Sequence, residues 1–128
     1  PLRAIVAGIE ISGVARAYPL DRVLAQAPLH DLVGGTPIVL VVGPDGKSVR
    51  SFEARLDSIE LEFVRFIDGT PGEFTDVGTG TRWSFTGVAL SGPLSGRRLP
   101  PVYLLKDYWF AWRIYHPATS VYLLGGTR

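Results

Sequence analysis

Apolar and polar positions divide this chain into short segments, most of them with β character. Arg3 to Ile11 (RAIVAGIEI) is rich in β-branched residues, and Val14 to Tyr18 (VARAY) alternates apolar with polar. With Ser12-Gly13 between them, the two predict a hairpin. Pro19, which has no ladder donor, ends the second strand. Leu20, Val23, Leu24 and Ala27 recur at helical spacing, with Asp21 near the positive N-terminal end. That predicts a helix over Leu20 to Ala27, stopped by Pro28, which disfavours helical geometry in the residue before it. Gly34-Gly35 then turns the chain into Pro37 to Val42 (PIVLVV), an unbroken apolar run that reads as a central strand.

Gly43 to Ser48 (GPDGKS) is a turn by composition: Pro44 presets φ, Asp45 can bond nearby backbone, and Gly46 tolerates positive φ. Ser48 to Arg55 and Ile59 to Ile67 (IELEFVRFI) follow as strands, the second with Ile59, Leu61, Phe63 and Arg65 on one face. Asp68 to Gly72 is a turn, Phe74 to Val77 a short strand, and Gly78 to Gly80 another turn before Trp83. Leu105, Tyr108, Trp109, Trp112 and Tyr115 share one stripe at three-and-four spacing, so Leu105 to Tyr115 predicts a second helix, closed by Pro117. Phe110 lies off that stripe and is expected at the surface. Ser120 to Leu124 reads as a last edge strand. The sum is a β-rich α+β single domain, an antiparallel or mixed sheet or a partly closed barrel, with two short helices.

Composition narrows the possibilities. A chain of 128 residues fits one domain, residues 1–128, and 46% hydrophobic against 20% charged residues is ordinary for a globular core. Thirteen basic and twelve acidic side chains leave a net charge of +1, which gives no general attraction to nucleic acid. No apolar run approaches the roughly 20 residues that span a bilayer as a helix. The absence of cysteine excludes disulfides, thiolate metal sites and thiol nucleophiles in this segment. A start at Pro1 and an end at Gly-Gly-Thr-Arg suggest a processed chain or a piece of a longer one.

Candidate chemistry is sparse. His30-Asp31 could be an acid–base or ligand pair, with Asp31 orienting His30, but adjacent residues seldom point at one centre, and the pair reads more simply as polar turn residues. His116, the only other histidine, could join His30 on a metal or haem iron, or could simply end a helix, where imidazole suits the negative C-terminal end. Glu53, Asp57, Glu60 and Glu62 read as a solvated face rather than a hydrolytic pair. Gly78-Thr79-Gly80 and Gly92 to Gly96 lack the strand–loop–helix setting of a phosphate loop. Arg97-Arg98 is a small basic patch suited to a loop or a protein contact. Trp109 and Trp112 fit a core, whereas the exposed Phe110 beside other aromatics marks an interface. No cofactor is predicted.

Ala15-Arg16-Ala17-Tyr18-Pro19-Leu20, Asp31, Val33-Gly34-Gly35-Thr36-Pro37-Ile38, Trp83, Thr86-Gly87, Gly92-Pro93-Leu94-Ser95-Gly96, Leu99, Trp109, Trp112-Arg113 and His116-Pro117 occur in that order. This series, from about Ile5 to Val121, resembles the prokaryotic DUF3179 family, whose function is unknown. The resemblance implies an exported, extracytoplasmic protein. It also implies a Cys-Pro-x-Cys motif after the strand at Pro37 to Val42, where this chain has Gly43-Pro44-Asp45-Gly46. It implies a His-Glu pair before the double glycine, near Gln26 and Ala27 here. Those departures, with no complete catalytic set, point away from an enzyme. The expectation is a non-catalytic extracytoplasmic interaction or accessory domain, with a protein partner or self-association and with His30, Asp31, Arg97, Arg98, Phe110 and His116 as candidate binding residues. The alternative is a ligand-, metal- or haem-associated redox domain using His30, Asp31 and His116.

Overall fold

A computed structural model describes residues 3–123. The chain opens with the expected hairpin, β1 (Ile5–Ile11) and β2 (Val14–Pro19). Ser12 and Gly13 both take positive φ, at 52° and 78°, as a two-residue turn between twisted strands requires. Helix α1 (Leu20–Gln26) follows directly and buries Val23. Next come β3 (Leu29–Val33), β4 (Thr36–Val42), β5 (Val49–Glu53), β6 (Arg55–Leu56) and β7 (Ile59–Glu60). They are followed by β8 (Phe63–Arg65), β9 (Phe74–Asp76), β10 (Arg82–Trp83) and β11 (Ala89–Ser91). The last elements are β12 (Pro101–Val102), β13 (Leu105–Tyr108), α2 (Trp109–Tyr115) and β14 (Ser120–Val121).

The strands form three four-stranded sheets, ordered β13-β1-β2-β14, β12-β5-β4-β3 and β11-β10-β9-β8, and a small β6-β7 ribbon. Pairing is antiparallel except for β14 beside β2. Among the described residues no sheet closes into a barrel, and no helix is long and apolar enough to cross a membrane. The fold is therefore β-rich α+β.

Strand β4 sits at the centre because its apolar run has no polar face to offer water. Ile38 and Leu40 pack with Ala7, Ile9, Tyr18, Val23, Leu29 and Val33. Their neighbours Val39 and Val41 point the other way, into a cluster with Phe52, Phe63, Phe74 and Trp83. Alternate side chains of one strand thus join two cores. A third, smaller cluster lies on the far side of the β1-β2 hairpin, where Val6 and Ala17 meet Trp112 of α2.

Four expectations fail, each for a reason visible in the pairing. Leu105 to Tyr108 is not helical. It pairs with β1, Gly8 opposite Leu105 and Ile5 opposite Tyr108, so α2 begins only at Trp109, whose N–H donates to the Ala4 carbonyl. The aromatic stripe is consequently buried only in part: Trp112 joins the third core with Trp109 packed beside it, as expected, but Tyr108 and Tyr115 are exposed. Ile59 to Ile67 is not one strand. It breaks between β7 and β8, where the Leu61 N–H bonds the Ala54 carbonyl, and Ile59 is left exposed. His30-Asp31 is not a turn but the middle of β3, paired with Val39 and Ile38. Of the final strand, Leu124 lies outside the described residues.

Candidate functional site

Because His30 and Asp31 are neighbours on a strand, they face opposite sides of their sheet. Asp31 meets the first hairpin: its carboxylate takes the Arg16 Nε at 2.6 Å and the Tyr18 hydroxyl at 2.8 Å, with Asp31 and Arg16 side chains only 3% and 6% exposed. Arg16 also donates to the Ser120 Oγ at 2.9 Å, and its guanidinium lies over the rings of Tyr18 and Tyr122. The Tyr122 hydroxyl in turn donates to Gln26 Oε1. Burial, reinforced by the adjacent Asp31 charge, pushes the Tyr18 hydroxyl far above its ordinary range, so it stays a donor. A buried charge pair held by further hydrogen bonds ties β2, β3 and β14 together. Neither Arg16 nor Tyr18 is a candidate binding residue from sequence; the signal that could have found them is the alternation that places both on one strand face with Ala17 between.

His30 faces the other core. Its Nε2 accepts the Phe63 N–H at 3.0 Å and its ring stacks on Phe63 at 5.9 Å. Accepting at Nε2 fixes the neutral tautomer with the proton on Nδ1. Burial lowers its pKa below the ordinary value, partly offset by Glu62. His116 ends α2, its N–H donating to the Trp112 carbonyl. Its ring stacks on Trp112 at 3.9 Å and its Nδ1 lies 3.9 Å from Glu10. The two histidines therefore serve different neighbours. Among the described residues no three His, Cys, Asp or Glu side chains converge as a metal site.

The remaining polar motifs have local partners or face solvent. Asp76, fully buried, accepts from the Trp83 Nε1 at 3.0 Å and from the N–H and hydroxyl of Thr79, so Gly78-Thr79-Gly80 is a turn capped by a carboxylate. The Gly92 to Gly96 turn is clamped back on this unit, with the Leu94 N–H donating to Thr81 Oγ1. Glu53 pairs with Arg55 and Asp57 with Arg97, both near the surface, while Glu60 and Glu62 are solvated. Arg98, next to the paired Arg97, is exposed and bridges by backbone to Val88.

Two surface features stand apart. The first is the outer face of β13 and α2. β13 is an edge strand, and Trp109 and Trp112 turn inward onto the hairpin. That leaves Tyr108, Phe110, Ile114 and Tyr115 exposed, with Tyr108 and Phe110 stacked at 5.7 Å. Ile114 and Tyr115 are 70% and 79% accessible, far beyond what a helix needs merely to cover a core. Phe110 is exposed as the periodicity predicted. The exposure of Tyr108 could not be foreseen while β13 was read as helix.

The second is a cleft of about 600 Å³. It is bounded by the end of α1 (Leu24, Ala27), the β4–β5 turn (Gly43, Pro44, Gly46) and the β8–β9 loop (Phe66 to Glu73), over a floor that includes Val41 and Phe74. The turn is built as predicted: Asp45 accepts the N–H groups of Lys47 and Ser48, and Gly46 has φ of 69°. The Ser48 hydroxyl, which also donates to this carboxylate, and then the two N–H groups lower the pKa of the Asp45 carboxyl to about 2. Gly72 of the loop lies so close to Pro44 that a Cβ there would stand 2.9 Å from the Pro44 ring, so turn and loop touch directly. Two stretches that the resemblance sets apart, Gly43 to Gly46 and Ala27, thus border one depression.

No curated protein and no solved structure matches the chain. Residues 1–119, nearly the whole of it, match the model of the family described as "Protein of unknown function (DUF3179)", and the chain belongs to that family.

Proposed function

We propose that this chain is a non-catalytic interaction or accessory domain of a larger chain or assembly, which binds a protein partner or a second copy through the outer face of β13 and α2. An extracytoplasmic setting is part of this proposal and rests on the family resemblance. The observation that carries the reading is the exposure of Tyr108, Phe110, Ile114 and Tyr115 within eight residues, two of them stacked in water. Aromatic side chains of this kind are enriched where proteins meet, and a contiguous apolar patch on a small domain costs solubility unless it is covered. The His30, Asp31 and His116 alternative finds less support, because each of these side chains is occupied with a separate structural neighbour.

Light scattering after size exclusion, over a range of concentrations, tests self-association, and affinity capture from the native host tests a partner. Both are run on the wild-type chain and on the double variant Tyr108→Ser/Phe110→Ser, with circular dichroism to confirm the fold. The proposal expects association or capture that the double variant loses. A chain that stays monomeric and captures nothing beyond what the double variant captures overturns it.

A further inference from the structure

The cleft beside the β4–β5 turn shares no residue with the β13–α2 face, so what it binds is a separate question. Its volume of about 600 Å³ falls in the range of small-molecule sites, roughly 300–1,000 Å³. Leu24, Val41, Phe66, Ile67 and Phe74 give it apolar walls. Two charged side chains line it. Glu73 is only 11% exposed and is neutralised by Arg82 at 2.9 Å, whose guanidinium also covers the Phe66 ring at 5.2 Å. Arg65 has no ion pair among the described residues and is exposed. On the turn, Asp45 is spent on the turn's own N–H groups. Among the residues that line it, the cleft therefore offers apolar surface and one charge without an ion pair, Arg65.

We propose that this cleft binds a small amphiphilic monocarboxylate, with the carboxylate on the Arg65 guanidinium and the apolar body against Leu24, Phe66 and Ile67. A cationic ligand would face Arg65 with only the already paired Glu73 to balance it. A polyphosphate would need several cations where one is present. A guanidinium matches a single carboxylate with two parallel hydrogen bonds.

Isothermal titration with decanoate, decanol and decyltrimethylammonium, each below its micelle concentration, tests this on the wild-type chain, Arg65→Gln and Leu24→Glu. Both substituted positions are at the surface, so the fold is retained. Decanoate should bind one to one and tighter than either comparator. Arg65→Gln should weaken decanoate by about tenfold, as loss of a charged hydrogen-bond partner does, and leave decanol unchanged. Leu24→Glu should weaken decanoate as well. Decanoate that binds no better than decanol, that is indifferent to Arg65→Gln, or that gives no binding heat at all overturns the proposal. The Tyr108→Ser/Phe110→Ser variant should bind decanoate like the wild type, so the result is independent of whether the aromatic face docks a partner.

Discussion

His30, a candidate ligand or acid–base residue in the sequence, is held by the fold against backbone and an aromatic ring. It accepts a backbone N–H, and burial holds its pKa below the usual value of about 6.5. Protonation would put a donor against the Phe63 N–H and a charge among Phe63 and its neighbours. The sign follows from linkage. Because the native state binds this proton less readily than the unfolded chain, the stabilisation is complete above the unfolded value. It is lost as pH falls through that value towards the depressed one. Urea midpoints should therefore drop between pH 7 and pH 5, and His30→Phe should flatten that part of the profile. Parallel profiles for the two proteins would refute the assignment. Asp31 carries a larger share of stability at one position. Asp31→Ala leaves the Arg16 charge and the Tyr18 hydroxyl buried without their acceptor, a loss of about 3–5 kcal/mol. Equilibrium denaturation should show it as a lower midpoint with the denaturant slope retained.

At the scale of elements, α2 is held by one close approach. A Cβ on Gly8 would stand 2.2 Å from the Trp112 ring, well inside contact distance, so β1 admits this helix only because residue 8 has no side chain. Trp112 also donates through Nε1 to Thr119 at 2.9 Å, which fixes the indole on the strand. Gly8→Ala should force the ring off β1 and cost about 1–3 kcal/mol, with a red-shifted tryptophan emission reporting the exposed indole. An unshifted spectrum with unchanged stability would contradict this packing. The same contact explains what the sequence did and did not reveal. Helix α1 was legible because Leu20, Val23 and Leu24 follow one period and Pro28 limits it. The hairpin was legible because Ser12-Gly13 is its own turn signal. Over Leu105 to Tyr115 the helical period was genuine only in its second half. The first half is decided by pairing with a strand some hundred residues earlier, a partner that no local pattern discloses. The Arg16–Asp31 pair and the three-sided cleft were hidden for the same reason, since each is assembled from segments distant in sequence.

In the whole molecule these elements hang on β4, which the sequence did identify as central from its unbroken apolar run. Its neighbours β3 and β5 occupy both edges, and two cores occupy both faces. Opening β4 would therefore expose Ile38 and Leu40 on one side and Val39 and Val41 on the other, and would break two ladders at once. By contrast β13 and β14 are edges of the outer sheet, with one ladder each. Local opening follows the least protected elements, and amides in a strand that cannot open alone exchange only through global unfolding. Native-state hydrogen exchange should rank the Ile38 to Val41 amides that bond within the sheet as slowest, with exchange free energies equal to the global unfolding free energy. The β13 and α2 amides should exchange at lower cost, because Trp112 is the only buried side chain of α2. That ordering also suits the functions proposed for the surface. The aromatic face lies on the elements free to adjust to a partner, while the cleft floor at Val41 belongs to the strand that moves last. If β13 and β4 amides exchanged with the same free energy, the molecule would open as one unit and this division of labour would fall.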